Sequence, residues 1–229
     1  MTGEKNSGCG ISRIILCGSD TEQKKIFLEG LQRAVNLKKI DMEILDRPEE
    51  MGQDDFALLF PGYDWKEFEK TEKALSLLKK VHPREALLFS DAEVYGKVYG
   101  DPHPLKENEL GYVCHTDLKE TGKTCLRMAE NLCFRLFQEE EVEIKIVRAD
   151  MRAFLNSQDA SKIGKKEQNE KIQQLVLETI RILKNGKPGE AYNLDVLERE
   201  DGLTGGRSPL SPIEILLDTE KGYLKGQEK

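Results

Sequence analysis

Short, unbroken apolar runs alternate along this chain with longer stretches in which apolar residues return every three or four positions. Ile14, Ile15, Leu16 and Cys17 form one such run, closed by Gly18, the pattern of a strand covered on both faces of a parallel sheet. Residues 21–37 then place Ile26, Phe27, Gly30, Leu31, Ala34 and Val35 on one helical stripe. Met42, Ile44 and Leu45 make a second strand that ends at Asp46 and is stopped by Pro48, and Phe56–Phe60 makes a third, closed by Pro61-Gly62. A helix is predicted over 66–81 through Phe68, Thr71, Leu75 and Leu78, with Pro83 ending it. Ala86–Phe89 gives a fourth strand that runs into a turn at Ser90.

The second half keeps the alternation. Residues 96–116, rich in Pro, Gly and charge, read as a long loop over the C-terminal ends of the strands. Thr116 or Asp117 can cap a helix running to Phe137, in which Cys125, Ala129, Leu132, Cys133 and Leu136 recur at helical spacing. Val142, Ile144 and Ile146 alternate with Glu143 and Lys145 as a strand ending at Arg148-Ala149-Asp150. A polar tract over 156–169 precedes a strongly amphipathic helix through Ile172, Leu175, Val176, Thr179, Ile180 and Leu183, ended by Asn185-Gly186. Strand-helix alternation of this kind predicts an α/β fold with a doubly wound, mostly parallel, Rossmann-like sheet, whose ligands lie at the C-terminal ends of the strands.

Composition narrows the picture by exclusion. At 229 residues, 38% hydrophobic and 34% charged, the chain suits one globular domain with a heavily solvated surface. No window of eighteen apolar residues exists to cross a membrane, and residues 1–12 read as a loose, flexible leader without the apolar stretch of a signal peptide, so the cytoplasm is the expected location. A net charge of -7 gives no electrostatic reason to bind a nucleic-acid backbone. The five cysteines, without a C-x-x-C pair, suggest neither a disulfide framework nor a zinc site.

Residues 87–133 carry a family signal. Ser90, Val94, Tyr95 and Gly96 match a Ser-rich turn followed by Val-Tyr-Gly, and Arg127, Met128, Ala129 and Glu130 match the end of a helix that carries Tyr-x-x-x-Lys, then a small residue and Glu. Gly189-Glu190-Ala191-Tyr192-Asn193-Leu194 and Asp218–Tyr223 extend the match toward the C-terminus. In these residues the chain resembles the extended short-chain dehydrogenases/reductases, the NAD-dependent nucleotide-sugar epimerases and dehydratases. The resemblance implies a single domain over 13–229 whose C-terminal substrate region, from about residue 150, is much reduced. It also places the catalytic Tyr at Gly122 and the catalytic Lys at Leu126, so the active-site pair is missing. The third catalytic position, a Ser or Thr, falls on Asp91, with Ser90 beside it.

The cofactor loop departs from the family pattern as well. Gly-x-x-Gly-x-x-Gly, which lets backbone approach a pyrophosphate at a helix N-terminus, aligns with Gly18-Ser19-Asp20-Thr21-Glu22-Gln23-Lys24, where only Gly18 remains. Asp20 and Glu22 bring carboxylates to the place of phosphates, so no cofactor is expected; NAD or NADP would bind only to an altered site built on Gly18, Ser19 and Asp46, the last standing where an acid accepts from an adenosine ribose. Gly has no side chain to move a proton and Leu carries no charge, so the Tyr and Lys chemistry is lost. Ser90, Asp91, His115 and Lys123 are the candidates for a substitute acid-base set. The expectation is a degenerate, non-catalytic binding or partner subunit, linked to surface-polysaccharide metabolism. The alternatives are an active enzyme with substituted residues and a small-ligand sensor for a nucleotide or sugar nucleotide. The resemblance further implies a homodimer through helices 66–81 and 117–137, because Leu126, Cys133 and Phe137 widen the apolar face of the second helix.

Overall fold

The computed structural model describes residues 11–38, 42–96, 110, 112–114, 116–149, 165–194 and 212–215. Residues 1–10, His115, residues 150–164 and the Asp218–Tyr223 segment lie outside the described residues.

Every predicted strand forms within a residue or two of its expected span. In chain order they are β1 (Arg13–Gly18), β2 (Glu43–Leu45), β3 (Phe56–Phe60), β4 (Glu85–Asp91), β5 (Ile144–Ala149) and β6 (Ala191–Leu194), joined by the unforeseen β7 (Pro212–Ile215). The helices are α1 (Glu22–Lys38), α2 (Trp65–Val81), α3 (Thr121–Glu140) and α4 (Lys165–Asn185). The sheet runs β2-β1-β3-β4-β5-β6-β7; β1 to β6 pair in parallel, and β7 lies antiparallel to β6. This is the doubly wound Rossmann-like architecture. After β1 the chain winds outward to β2, then returns across β1 to β3, so the strand order reverses between β1 and β3. The crevice outside their C-terminal ends is the switch point at which open α/β sheets hold ligands.

The side chains explain the layers. On one face of the sheet Ile14, Leu16, Leu58 and Leu87 pack under α1 and α4, together with the rings of Phe27, Phe60 and Phe89, whose centroids lie 5.0–5.7 Å apart. On the other face Ile15, Cys17, Leu59 and Leu88 meet Phe68, Leu75 and Leu78 of α2 and Cys125, Ala129 and Cys133 of α3. Strands covered on both faces must be apolar throughout, which is why β1, β3 and β4 read as unbroken runs.

β5 departs from its alternating pattern. Its charged residues do not face water: Lys145 is fully buried, paired with the Glu85 carboxylate and donating to the Leu183 carbonyl at 3.1 Å, and Arg148 is buried as well. Both faces here are covered and each takes one cation with its partners, Lys145 beneath α4 and Arg148 beneath α3. α3 also begins later than expected. Asp117 caps a 3-10 turn over Leu118–Glu120, accepting from the Lys119 amide at 3.0 Å, and the α-helix starts only at Thr121. At the opposite end of the sheet, Arg13 of β1 grips Asp55, just before β3, through two 2.6 Å hydrogen bonds.

Candidate functional site

The switch-point crevice is built from the loops that follow β1, β2 and β3. Gly18 ends β1 with φ +90°, and a Cβ there would stand 2.1 Å from the Phe60 carbonyl oxygen, so only glycine allows β1 and β3 to close up at this point. Ser19 continues the closure. Its amide donates to the Phe60 carbonyl at 2.8 Å and its hydroxyl to the Glu67 carbonyl at 2.7 Å, and the residue is fully buried. Thr21 caps α1 by accepting from the Lys24 amide at 3.2 Å.

Lys24, at the place of the third glycine, is the residue that sequence reasoning passed over. It is buried, and its ammonium lies 2.6 Å from Asp46 and 3.1 Å from Asp20. Asp20 also reaches Lys70 at 3.4 Å, and its carboxyl is held below the usual range chiefly by the hydrogen bond from Lys24. The objection to a phosphate at this loop is therefore occupancy more than repulsion, because Asp20 already has its cations. Asp46, the ribose-acceptor candidate, is engaged by Lys24. Burial pushes the nearby Cys17 thiol up to about 12.

Gln23 and Tyr63 link the start of α1 to the loop after β3, with the Gln23 amide donating to the Tyr63 hydroxyl at 2.8 Å. Tyr63 also lies against Gly122, where an added Cβ would meet its ring at 3.4 Å. The ring of Tyr63 thus flanks Gly122 while its hydroxyl is held by Gln23, and the phenol is poorly suited to act as a base. Burial, then the Asp91 and Glu93 carboxylates, raise its pKa well above the ordinary 10, whereas a general base works best near the operating pH.

Around Leu126 the packing is apolar. Leu126 is fully buried with Val94 and Tyr95, and Tyr63 and Ala92 pack on the same cluster. Of the substitute acid-base candidates, Asp91 accepts from the Glu93 amide at 2.8 Å and starts the 3-10 turn Ala92–Tyr95, and Lys123 is bound to Glu120 at 2.8 Å. Ser90 is buried and its hydroxyl has no hydrogen-bond partner among the described residues.

The residues that carried the family signal converge on Arg148. Its guanidinium donates to both oxygens of Glu130, at 3.0 and 2.7 Å, and to the Tyr95 hydroxyl at 3.1 Å, lying 5.1 Å from that ring's centroid. Tyr95 in turn donates to Asn193 at 2.8 Å. Burial by itself would lower the Arg148 pKa, but Glu130 outweighs it and raises it. Arg127 donates to the carbonyls of Val94 and Tyr95, fixing the same turn to α3. Val-Tyr-Gly, the helical Glu and the late Tyr-Asn thus share a structural role that spacing alone did not reveal. The signal that could have found it was a cation at the end of an otherwise apolar strand.

Of the three residues that widened the apolar face of α3, Leu126 and Cys133 are buried within one chain and Phe137 is half-buried. Leu126 lies under the Ala92–Tyr95 turn, Cys133 is in the core, and the Phe137 ring packs against Gly189.

No family profile and no curated protein matches the sequence. Solved structures do share the fold. RMD from Pseudomonas aeruginosa complexed with NADPH superposes with a TM-score of 0.55 at 16% identity, over 80% of this chain and 77% of that one. dTDP-glucose 4,6-dehydratase from Bacillus anthracis, in complex with NAD, gives 0.52 at 12% identity, over 81% and 75%. A UDP-glucuronic acid 4-epimerase from Bacillus cereus, with NAD and a fluorinated UDP-sugar, gives 0.50 at 13% identity, over 87% and 85%.

Proposed function

We propose that this chain is a non-catalytic relative of the nucleotide-sugar epimerases and dehydratases, acting as a binding or partner subunit in surface-polysaccharide metabolism. One observation carries the reading: the positions aligned with the catalytic Tyr and Lys are Gly122, which lies against Tyr63, and Leu126, fully buried among apolar side chains. Neither side chain moves a proton, and Leu126 is closed to a substrate. Turnover assays with UDP-, dTDP- and GDP-sugars, with NAD and NADP present, are expected to show no product. Product formation that is lost in Asp91→Asn or His115→Ala would establish an active enzyme instead.

A second reading, a small-ligand sensor, is favoured by the Ser90 hydroxyl, a buried group left without a partner among the described residues at a cost of about 1–3 kcal/mol. A thermal-shift screen with the same sugar nucleotides tests it, since a ligand that binds only the folded state raises Tm. The partner in the first reading includes a second copy of the chain, packed through α2 and α3, where Leu77 and Phe134 remain half-buried. Light scattering is expected to return about twice 26.1 kDa, and Phe134→Asp to return the monomer mass.

A further inference from the structure

We propose that the switch-point crevice is a self-filled site, in which the Lys24 ammonium replaces a bound nucleotide as the group that ties the loops after β1 and β2 together. The inference rests on the non-catalytic reading and says how the fold holds the crevice without a ligand. Each element that a dinucleotide would use is already satisfied from within. The Ser19 amide is committed to Phe60, and the α1 N-terminus is capped by Thr21. Asp46 is bound to Lys24 rather than awaiting a ribose, and Asp20 supplies the anion between Lys24 and Lys70. The Gln23 amide, one residue before Lys24, is itself engaged by the Tyr63 hydroxyl. The residues present therefore do not fit NAD or NADP. Lys24 is central, because its side chain is buried where a glycine would leave space and its ammonium bridges both acids, with Lys70 as a second cation on Asp20.

Restoring glycine should reopen the site. In Thr21→Gly/Lys24→Gly, ADP is expected to raise Tm by about 3 °C at roughly ten times its dissociation constant, and Asp46→Ala should abolish the rise. The wild-type protein should show no shift with ADP. If the folded double variant, with a cooperative melt, also shows none, the inference is wrong. Should that variant fail to fold, a double-mutant cycle decides. Lys24→Met and Asp46→Asn are each expected to lower Tm by about 2–4 °C, with little further loss when combined, because both break one bridge. Fully additive losses would overturn the bridge. Turnover by the wild-type protein would refute the non-catalytic reading, while the cycle would still judge the bridge by itself.

Discussion

The two halves of the crevice are closed by different physics. At the β1/β3 switch point the closure is ionic, with Lys24 buried but its partners Asp20 and Asp46 reaching water, their side chains 66% and 45% exposed. Over α3 the closure is dry: Leu126 is packed among apolar side chains, and the nearby Arg148–Glu130 pair is 1% and 4% exposed. An ion bridge with solvated ends is replaceable, since each acid can return to water when the lysine leaves. A dry pair is not, because removing one partner strands the other charge in a medium that cannot solvate it. The difference predicts that the switch-point half can be reopened by substitution, whereas the half over α3 resists change.

The largest expected effect follows from the dry half. Glu130→Ala should destabilise the fold by about 3–5 kcal/mol in urea denaturation, since it takes from the buried Arg148 its carboxylate. Leu126→Ala comes next, at about 2–5 kcal/mol, through the cavity it opens beside Val94 and Tyr95. A loss under about 1 kcal/mol in either variant, the size of an exposed ion pair's contribution, would show that this half is as open to solvent as the other.

Acid should act mainly on the ionic contacts. Burial alone would raise the Asp55 pKa, but the hydrogen bonds from Arg13 and the Gly52 amide outweigh it, so Asp55, like Asp20, titrates below its ordinary 3.8. A carboxyl whose folded pKa is depressed contributes stability above its unfolded pKa, and that stability is lost as pH falls through the folded value. The urea midpoint should therefore be insensitive to these groups above about pH 5 and fall below about pH 4, with a shallower fall in Asp55→Asn.

The smallest effect concerns thiols. Hydrogen bonds from Thr116 and then Tyr112 pull the Cys114 thiol down from its ordinary value, while burial pushes Cys17, Cys125 and Cys133 up. In native protein the three buried thiols should resist a disulfide reagent, and Cys114→Ser should remove a fast-reacting equivalent without changing Tm.

Much of this molecule was written locally. Unbroken apolar runs at 14–17, 56–60 and 86–89, and helical stripes over 21–37 and 172–183, are properties of neighbouring residues, so the strands, the helices and the sheet class could be read from periodicity. The resemblance that sets Gly122 and Leu126 against a family Tyr and Lys likewise needed only alignment with a motif. Tertiary structure decided what surrounds those two residues. Lys24 meets Asp46 across 22 positions of sequence, and Tyr63 lies against Gly122 across 59, and nothing in either local pattern encodes those meetings. Arg148, Glu130, Tyr95 and Asn193 likewise come from four separate elements. A charge's partner depends on which loops the sheet order brings together, and that order is fixed only when the whole core packs.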